Sequence, residues 1–281
     1  MIVLSLIPPP LVYVLAGLFG VILGGALNIV VHRLPYCGSA VTFYSKLPLG
    51  RYFSGRGRCE EGIAHTSTRY PIIEVVSALL CLAAVRYEGL TFALPFDLVF
   101  LCALTALVFF DGEHMILPDV ITIPGFGFAL IARVAIPYLI QAPHFDDVPG
   151  IKEFILQGWS DSPTSLAVAS LIGALLGALV GAGSLWLMGE AWKRLRNIEA
   201  MGLGDVKMML MVGAYLGWRL TILTIFVGAL SGSIGGVVLT VYEGRRDFQR
   251  TLPYGVCLGI AAILALFVGS QIVNWYAGFY Q

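Results

Sequence analysis

Three aspartates stand at the ends of otherwise uncharged apolar runs: 98–110 ends at Asp111, 120–132 begins after Asp119, and 208–218 follows Asp205 and Lys207. As a helix, the run 208–218 rises only about 16 Å, against a bilayer hydrocarbon core about 30 Å thick. All three carboxyls are therefore expected below the lipid surface on one side of a membrane, where an ionisable group is costly and by default functional. Two neighbouring carboxyls in a low dielectric do not both ionise. The ionised one can take a proton from water while the protonated one donates to a carbonyl oxygen, which is the chemistry of metal-free aspartic peptide hydrolysis. The competing use is a proton or ion relay. A third reading is that each Asp only caps a helix: Pro118-Asp119 suits a first turn, and Asp205 suits a helix N-terminus. Capping serves as well for any one Asp and less well for three on the same side. Gly202 and Gly204 precede Asp205. Residues without Cβ would let an extended peptide lie close to the acid, and they would equally suit a helix-start turn.

The elements that must position these groups follow from composition. Hydrophobic residues make up 58% of the 281 and charged residues 12%, against about 45–50% and about 25% in soluble domains. A soluble globule cannot hide so much apolar surface, so lipid must meet the chain. Eight helices are expected, at about 11–31, 71–88, 95–110, 117–140, 164–189, 205–218, 220–241 and 252–275. Segments 32–70, 190–207 and 242–251 hold 13 of the 17 Lys and Arg residues. An eight-helix count puts all three on one side, which the positive-inside bias makes cytoplasmic. The acidic segment 141–163 and both termini then face the periplasm. The expected fold is an all-α polytopic membrane protein with a small cytoplasmic loop module between the first two helices. No Lys or Arg precedes Arg33, so 11–31 reads as a retained helix rather than a cleaved signal.

Other chemistries are excluded or weaker. The net charge of +0 gives no basic excess for nucleic acid. Cys37, Cys59, Cys81, Cys102 and Cys257 include no CxxC spacing, and His32, His65, His114 and His144 include no HExxH, so zinc is not expected. His114 lies between Asp111 and Asp119 and reads first as a solvated group. There is no GxSxG elbow. Gly173, Gly177 and Gly181, and likewise Gly228, Gly232 and Gly236, read as helix-packing stripes.

The motifs as a set resemble the type IV prepilin peptidases, membrane aspartic proteases of the GxGD class. The matching blocks are Phe110-Asp111-Gly112 with Leu117-Pro118-Asp119, Gly202-Leu203-Gly204-Asp205-Val206-Lys207, Asn28 through Pro35, Arg69-Tyr70-Pro71 through Glu74, and Leu252-Pro253-Tyr254-Gly255. They run from residue 28 to about 260. The resemblance implies that Asp111 and Asp205 are the catalytic pair, with Asp119, Gly202, Gly204 and Lys207 in support. Lys207 would steady charge near Asp205 or, the reading preferred here, meet lipid headgroups. It implies an enzyme of the bacterial inner membrane that cuts leader peptides from type IV prepilins or pilin-like secretion precursors on the cytoplasmic side. Its partners would be those precursors and the bilayer.

Many members also methylate the new N-terminus with S-adenosylmethionine and carry two metal-binding CxxC pairs in the first loop. Here the partner position of Cys59 is Gly62 and only Cys37 stands near the first pair, so the metal is expected to be absent and methylation is left open. Arg69 and Glu74 form a candidate methyl-donor region, or a local ion pair at a helix end. On this reading 1–94 is a methyltransferase-like region and 95–281 the peptidase. Two alternatives compete: a proton-coupled transporter or channel, for which Arg133 is the one candidate charge in the outer half, and a membrane scaffold that has lost catalysis, which the altered Cys loop motivates for the methylation step while both aspartates count against it for proteolysis.

Overall fold

A computed structural model describes residues 9–33, 69–141, 144, 145, 147, 148, 151, 162–196, 201–243 and 253–279. Among these there are eight α-helices and no strand. They are α1 (Pro9–Arg33), α2 (Arg69–Glu88), α3 (Leu94–His114), α4 (Asp119–Ile140), α5 (Pro163–Arg196), α6 (Leu203–Leu216), α7 (Trp218–Glu243) and α8 (Tyr254–Ala277). Six, all but α2 and α6, include a segment long and apolar enough to cross a membrane. The chain is a multi-pass membrane protein.

Two helices run past the expected ends. α3 continues to His114, so Asp111 sits in its last turn instead of beyond it. That turn closes with Met115 at φ 53, its N–H donating to the Asp111 carbonyl at 2.9 Å. Pro118 cannot extend α3 and, in extended conformation, caps the start of α4. α5 continues through the basic residues to Arg196.

The chain divides into two compact units, residues 1–106 and 107–281. In the first, α1 lies against α2 through two glycines. A Cβ at Gly20 would stand 2.5 Å from the Ala78 Cα, and one at Gly24 would stand 2.5 Å from the Glu74 Cα. Only bare backbone fits that crossing.

In the second unit α6 is the central element, packed against α4, α5, α7 and α8. Its 14 residues are mostly buried, among them Met208, Met209, Met211, Val212 and Tyr215. A helix enclosed by other helices does not have to match the hydrocarbon thickness itself, which accounts for its shortness. The Gly173-Gly177-Gly181 stripe of α5 does pack. Gly177 and Gly213 face each other backbone to backbone, and a Cβ at Gly181 would lie 2.5 Å from the Met209 carbonyl oxygen.

At the end of α6 away from Asp205, Gly217 (φ +81) turns the chain into α7. Its missing Cβ leaves room for a buried ion pair: Arg133 donates twice to Asp147, at 2.9 and 2.6 Å, with 0% and 1% of the two side chains exposed. The Phe145 ring lies 4.1 Å from the guanidinium carbon. Removing one member would strand the other charge without water. Arg133→Met or Asp147→Asn is each expected to lower stability by about 3–5 kcal/mol. Arg133→Met combined with Asp147→Ala should cost less than the two singles added. Melting of the purified protein in micelles reads both.

Candidate active site

Asp205 is the third residue of α6, and Gly202, in extended conformation, is the N-cap. The side chain reaches back to accept the Gly202 N–H, half of a capping box. Capping and catalysis are thus not exclusive readings of this residue. One carboxylate oxygen faces the N-cap, since a Cβ at Gly202 would lie 3.7 Å from Oδ2. Oδ1 is turned toward the start of α8.

Asp111 arrives from the last turn of α3 and meets the same helix start. The Val256 N–H donates to its Oδ2 at 2.9 Å, and the Gly255 N–H also faces it. First-turn amides of a helix have no partner within the helix and carry its positive end, so a carboxylate there is both hydrogen-bonded and electrostatically favoured.

The two acids meet at Gly255. A Cβ built on it would stand 2.8 Å from Asp111 Oδ2 and 3.1 Å from Asp205 Oδ1. A single water or peptide carbonyl beside that glycine would touch both carboxyls. Each acid is at least nine-tenths buried. In the sequence Gly255 stands only as the end of the Leu252-Pro253-Tyr254-Gly255 block, and neither it nor Val256 carries a functional group that marks a role. Pro253 ahead of a helix start, with glycine in the first turn, was the available signal.

The other expected site residues separate into two groups. Asp119 and Lys207 bind each other: the Lys207 ammonium donates to both Asp119 oxygens, at 2.8 and 2.7 Å. Gly204 lies under Leu117, whose Cβ would be 3.0 Å from an added Cβ. The link that follows the Asp111 block thus touches the helix carrying Asp205 at two points. The ion pair is about half exposed, so Lys207→Met is expected to cost no more than about 1 kcal/mol. It should leave cleavage within about tenfold of wild type, read from initial rates. Glu74 lies in the first unit, its carboxylate alongside Gly25 of α1. The side chain of Arg69, and Cys37 and Cys59 with the rest of the first loop, lie outside the described residues. His114 pairs with Glu113 at 3.8 Å and lies against Phe110, with ring centroids 6.0 Å apart.

The sequence profile of the Type IV leader peptidase family matches residues 98–237, the stretch that holds both aspartates, and that of the Bacterial Peptidase A24 N-terminal domain matches residues 18–87. The chain belongs to the type IV leader peptidase family. Relatives are matched over nearly their whole length. A prepilin leader peptidase/N-methyltransferase of Pseudomonas aeruginosa is 29% identical, with 96% of this chain and 95% of that protein covered. The protein of that name from Legionella pneumophila is 26% identical, with 97% of each covered. The one from Aeromonas hydrophila is 28% identical over 95% of this chain and 94% of its own. No solved structure matches.

In this member of the leader peptidase family a cavity of about 660 Å³ adjoins Asp205. Asp205 and Tyr254 line it together with Met188 and Trp192 of α5 and Gly232 and Gly236 of α7. Gly228, in the same stripe, does pack: a Cβ added there would lie 2.8 Å from Leu258 Cδ2. Gly236 instead lines the cavity, where an added Cβ would find no heavy atom of the described residues within 4 Å.

Proposed function

We propose that this protein is a membrane aspartic endopeptidase that removes leader peptides from type IV prepilins or pilin-like secretion precursors. The observation that carries the reading is the convergence of the Asp111 and Asp205 carboxyls beside Gly255. In that geometry the ionised carboxyl takes a proton from a water held between them. The water oxygen attacks the scissile carbonyl carbon, whose oxygen receives the proton of the other carboxyl. Collapse of the tetrahedral species breaks the C–N bond, and the leaving amine takes a proton back from the dyad. No step draws on a metal.

On this reading all eight helices enter the bacterial inner membrane, the basic segments face the cytoplasm and both termini face the periplasm. Residues 1–94 form a methyltransferase-like region, and 95–281 cut the peptide. Methylation would use S-adenosylmethionine, with Arg69 and Glu74 as the candidate contacts. The transporter reading needs a chain of accessible charge beyond the dyad, but Arg133 is enclosed and paired with Asp147.

The test incubates the protein, reconstituted in vesicles, with a prepilin and a methyl donor, and weighs the products. A shortened product supports the peptidase. A further mass of one methyl group, dependent on the donor, adds the second activity. An uncut precursor beside a working relative would overturn the reading.

A further inference from the structure

Inside the hairpin of α2 and α3 stand polar groups that the hydrolysis does not use. α2 ends at Glu88 and α3 starts at Leu94, and a connection that short makes the two helices antiparallel neighbours. Cys81 is seven residues before the end of α2, and Cys102 is eight after the start of α3. At 1.5 Å per residue both lie about 10–12 Å from the connecting turn. Ser77 and Thr105 are each eleven residues from those same helix ends. Ser77 and Cys81 share one face of α2 at i, i+4, and Cys102 and Thr105 share one of α3 at i, i+3. All four line a single cavity of about 10 Å³ whose remaining lining is leucine, with room for one water-sized body.

Cys81 and Cys102 are free thiols, the first 4% exposed and the second partly buried. The Thr105 hydroxyl is satisfied, donating to the Leu101 carbonyl at 2.7 Å. The Ser77 hydroxyl is not. On a residue 4% exposed, its Oγ meets no hydrogen-bond partner among the described residues. A buried hydroxyl left unpaired is costly and calls for a polar companion in the same cavity. The donor set narrows what that companion is. Magnesium and calcium need about six oxygens, and zinc needs four ligands. Two sulfurs set in hydrocarbon suit a soft monovalent ion.

We propose that Cys81 and Cys102 form a two-sulfur site for a soft monovalent metal ion, copper(I) by class, that clips α2 to α3 within the membrane. One thiol gives its proton to water and binds as thiolate. The other binds through a sulfur lone pair and keeps its proton, and no electron moves. The ion and the single thiolate cancel, so the hydrocarbon holds no net charge, which it would resist. Ser77 donates to the thiolate and gains the partner it lacks. Cys102, only partly buried, is the way in. The ion takes no part in hydrolysis, and the site stands whether or not the chain cuts precursors. Its effect is on the fold, since it ties the helix that carries Asp111 to α2.

The test uses the full chain, reduced and free of oxygen, in micelles. Cys37→Ser, Cys59→Ser and Cys257→Ala remove the other thiols. Copper(I) is supplied from a coloured chelator, whose loss of colour counts the ions taken up. One ion per chain is expected, with about one proton released per ion. X-ray absorption at the metal edge should show two sulfur neighbours. Cys81→Ala and Cys102→Ala should each abolish uptake, and Ser77→Ala should weaken it by about tenfold. Uptake that survives both cysteine replacements, one ion shared by two chains, or a shell of nitrogen and oxygen alone would overturn the proposal. So would no uptake at all, which leaves the two cysteines as core packing. If an alanine variant fails to insert, the sulfur count in the chain that keeps only Cys81 and Cys102 decides by itself.

Discussion

Asp111→Asn and Asp205→Asn should each stop precursor cleavage, with rates falling by about 10³- to 10⁴-fold, the range that loss of a positioned acid or base produces. Asparagine keeps the shape and the polarity, so the effect isolates proton transfer. In either variant the remaining carboxyl can hold or release a proton but cannot do both in one cycle. The double variant should therefore be no slower than the worse single, as for groups that act as a unit. Cleavage by the wild type should also fall on both sides of a pH maximum, because one carboxyl must be charged and the other protonated. The apparent values will belong to the pair. Initial rates on a prepilin in vesicles, at matched protein levels, measure all of this. A single Asn variant that cuts at the wild-type rate would remove the dyad from the mechanism.

The two acids were legible because an aspartate at the edge of a short apolar run breaks the composition around it. The helices were legible for the same reason: runs without charge mark membrane segments, and all eight appear, seven of them with ends within about four residues of the expected spans and α5 running seven residues further, through its basic end to Arg196. What escaped was lateral contact. Apolar periodicity is nearly flat in a helix with apolar residues on every side, so nothing in 205–218 announced that α6 would be enclosed by four helices. The partner of Lys207 was unreadable because Asp119 lies 88 residues away, and the lipid headgroups preferred from sequence give way to a bidentate ion pair. Of the two equal readings of Gly202 and Gly204, the helix-start turn is what the structure shows, with Gly202 the N-cap, and the clearance beside Gly204 is occupied by Leu117 of the same chain. Gly255 escaped for a related reason. A glycine in a helix's first turn is unremarkable until the residue it would strike is known.

Gly255→Ala gives the sharpest separation of activity from folding. The position lies within α8 with no positive φ, so alanine brings no backbone strain and is the better helix former. Stability should hold or rise slightly. The added methyl would lie 2.8 Å from Asp111 Oδ2, 2.9 Å from its Cγ and 3.1 Å from Asp205 Oδ1. Contacts that short cannot stand, and the carboxyls must part. As they do, the Val256 N–H to Asp111 bond lengthens and the water that both acids should touch loses its place. Displacing reacting groups by about 1 Å can cost about 10²-fold, so kcat/KM is expected to fall by about 10²- to 10³-fold while the melting temperature does not drop. Gly204→Ala is the control, because its methyl meets only the Leu117 side chain, at 3.0 and 3.3 Å. That side chain can move aside without touching either acid, so a loss of no more than about tenfold is expected. If the two alanines were equally damaging, general packing at the helix starts would explain the loss. If Gly255→Ala were fully active, the carboxyls would not meet at that glycine in the working enzyme.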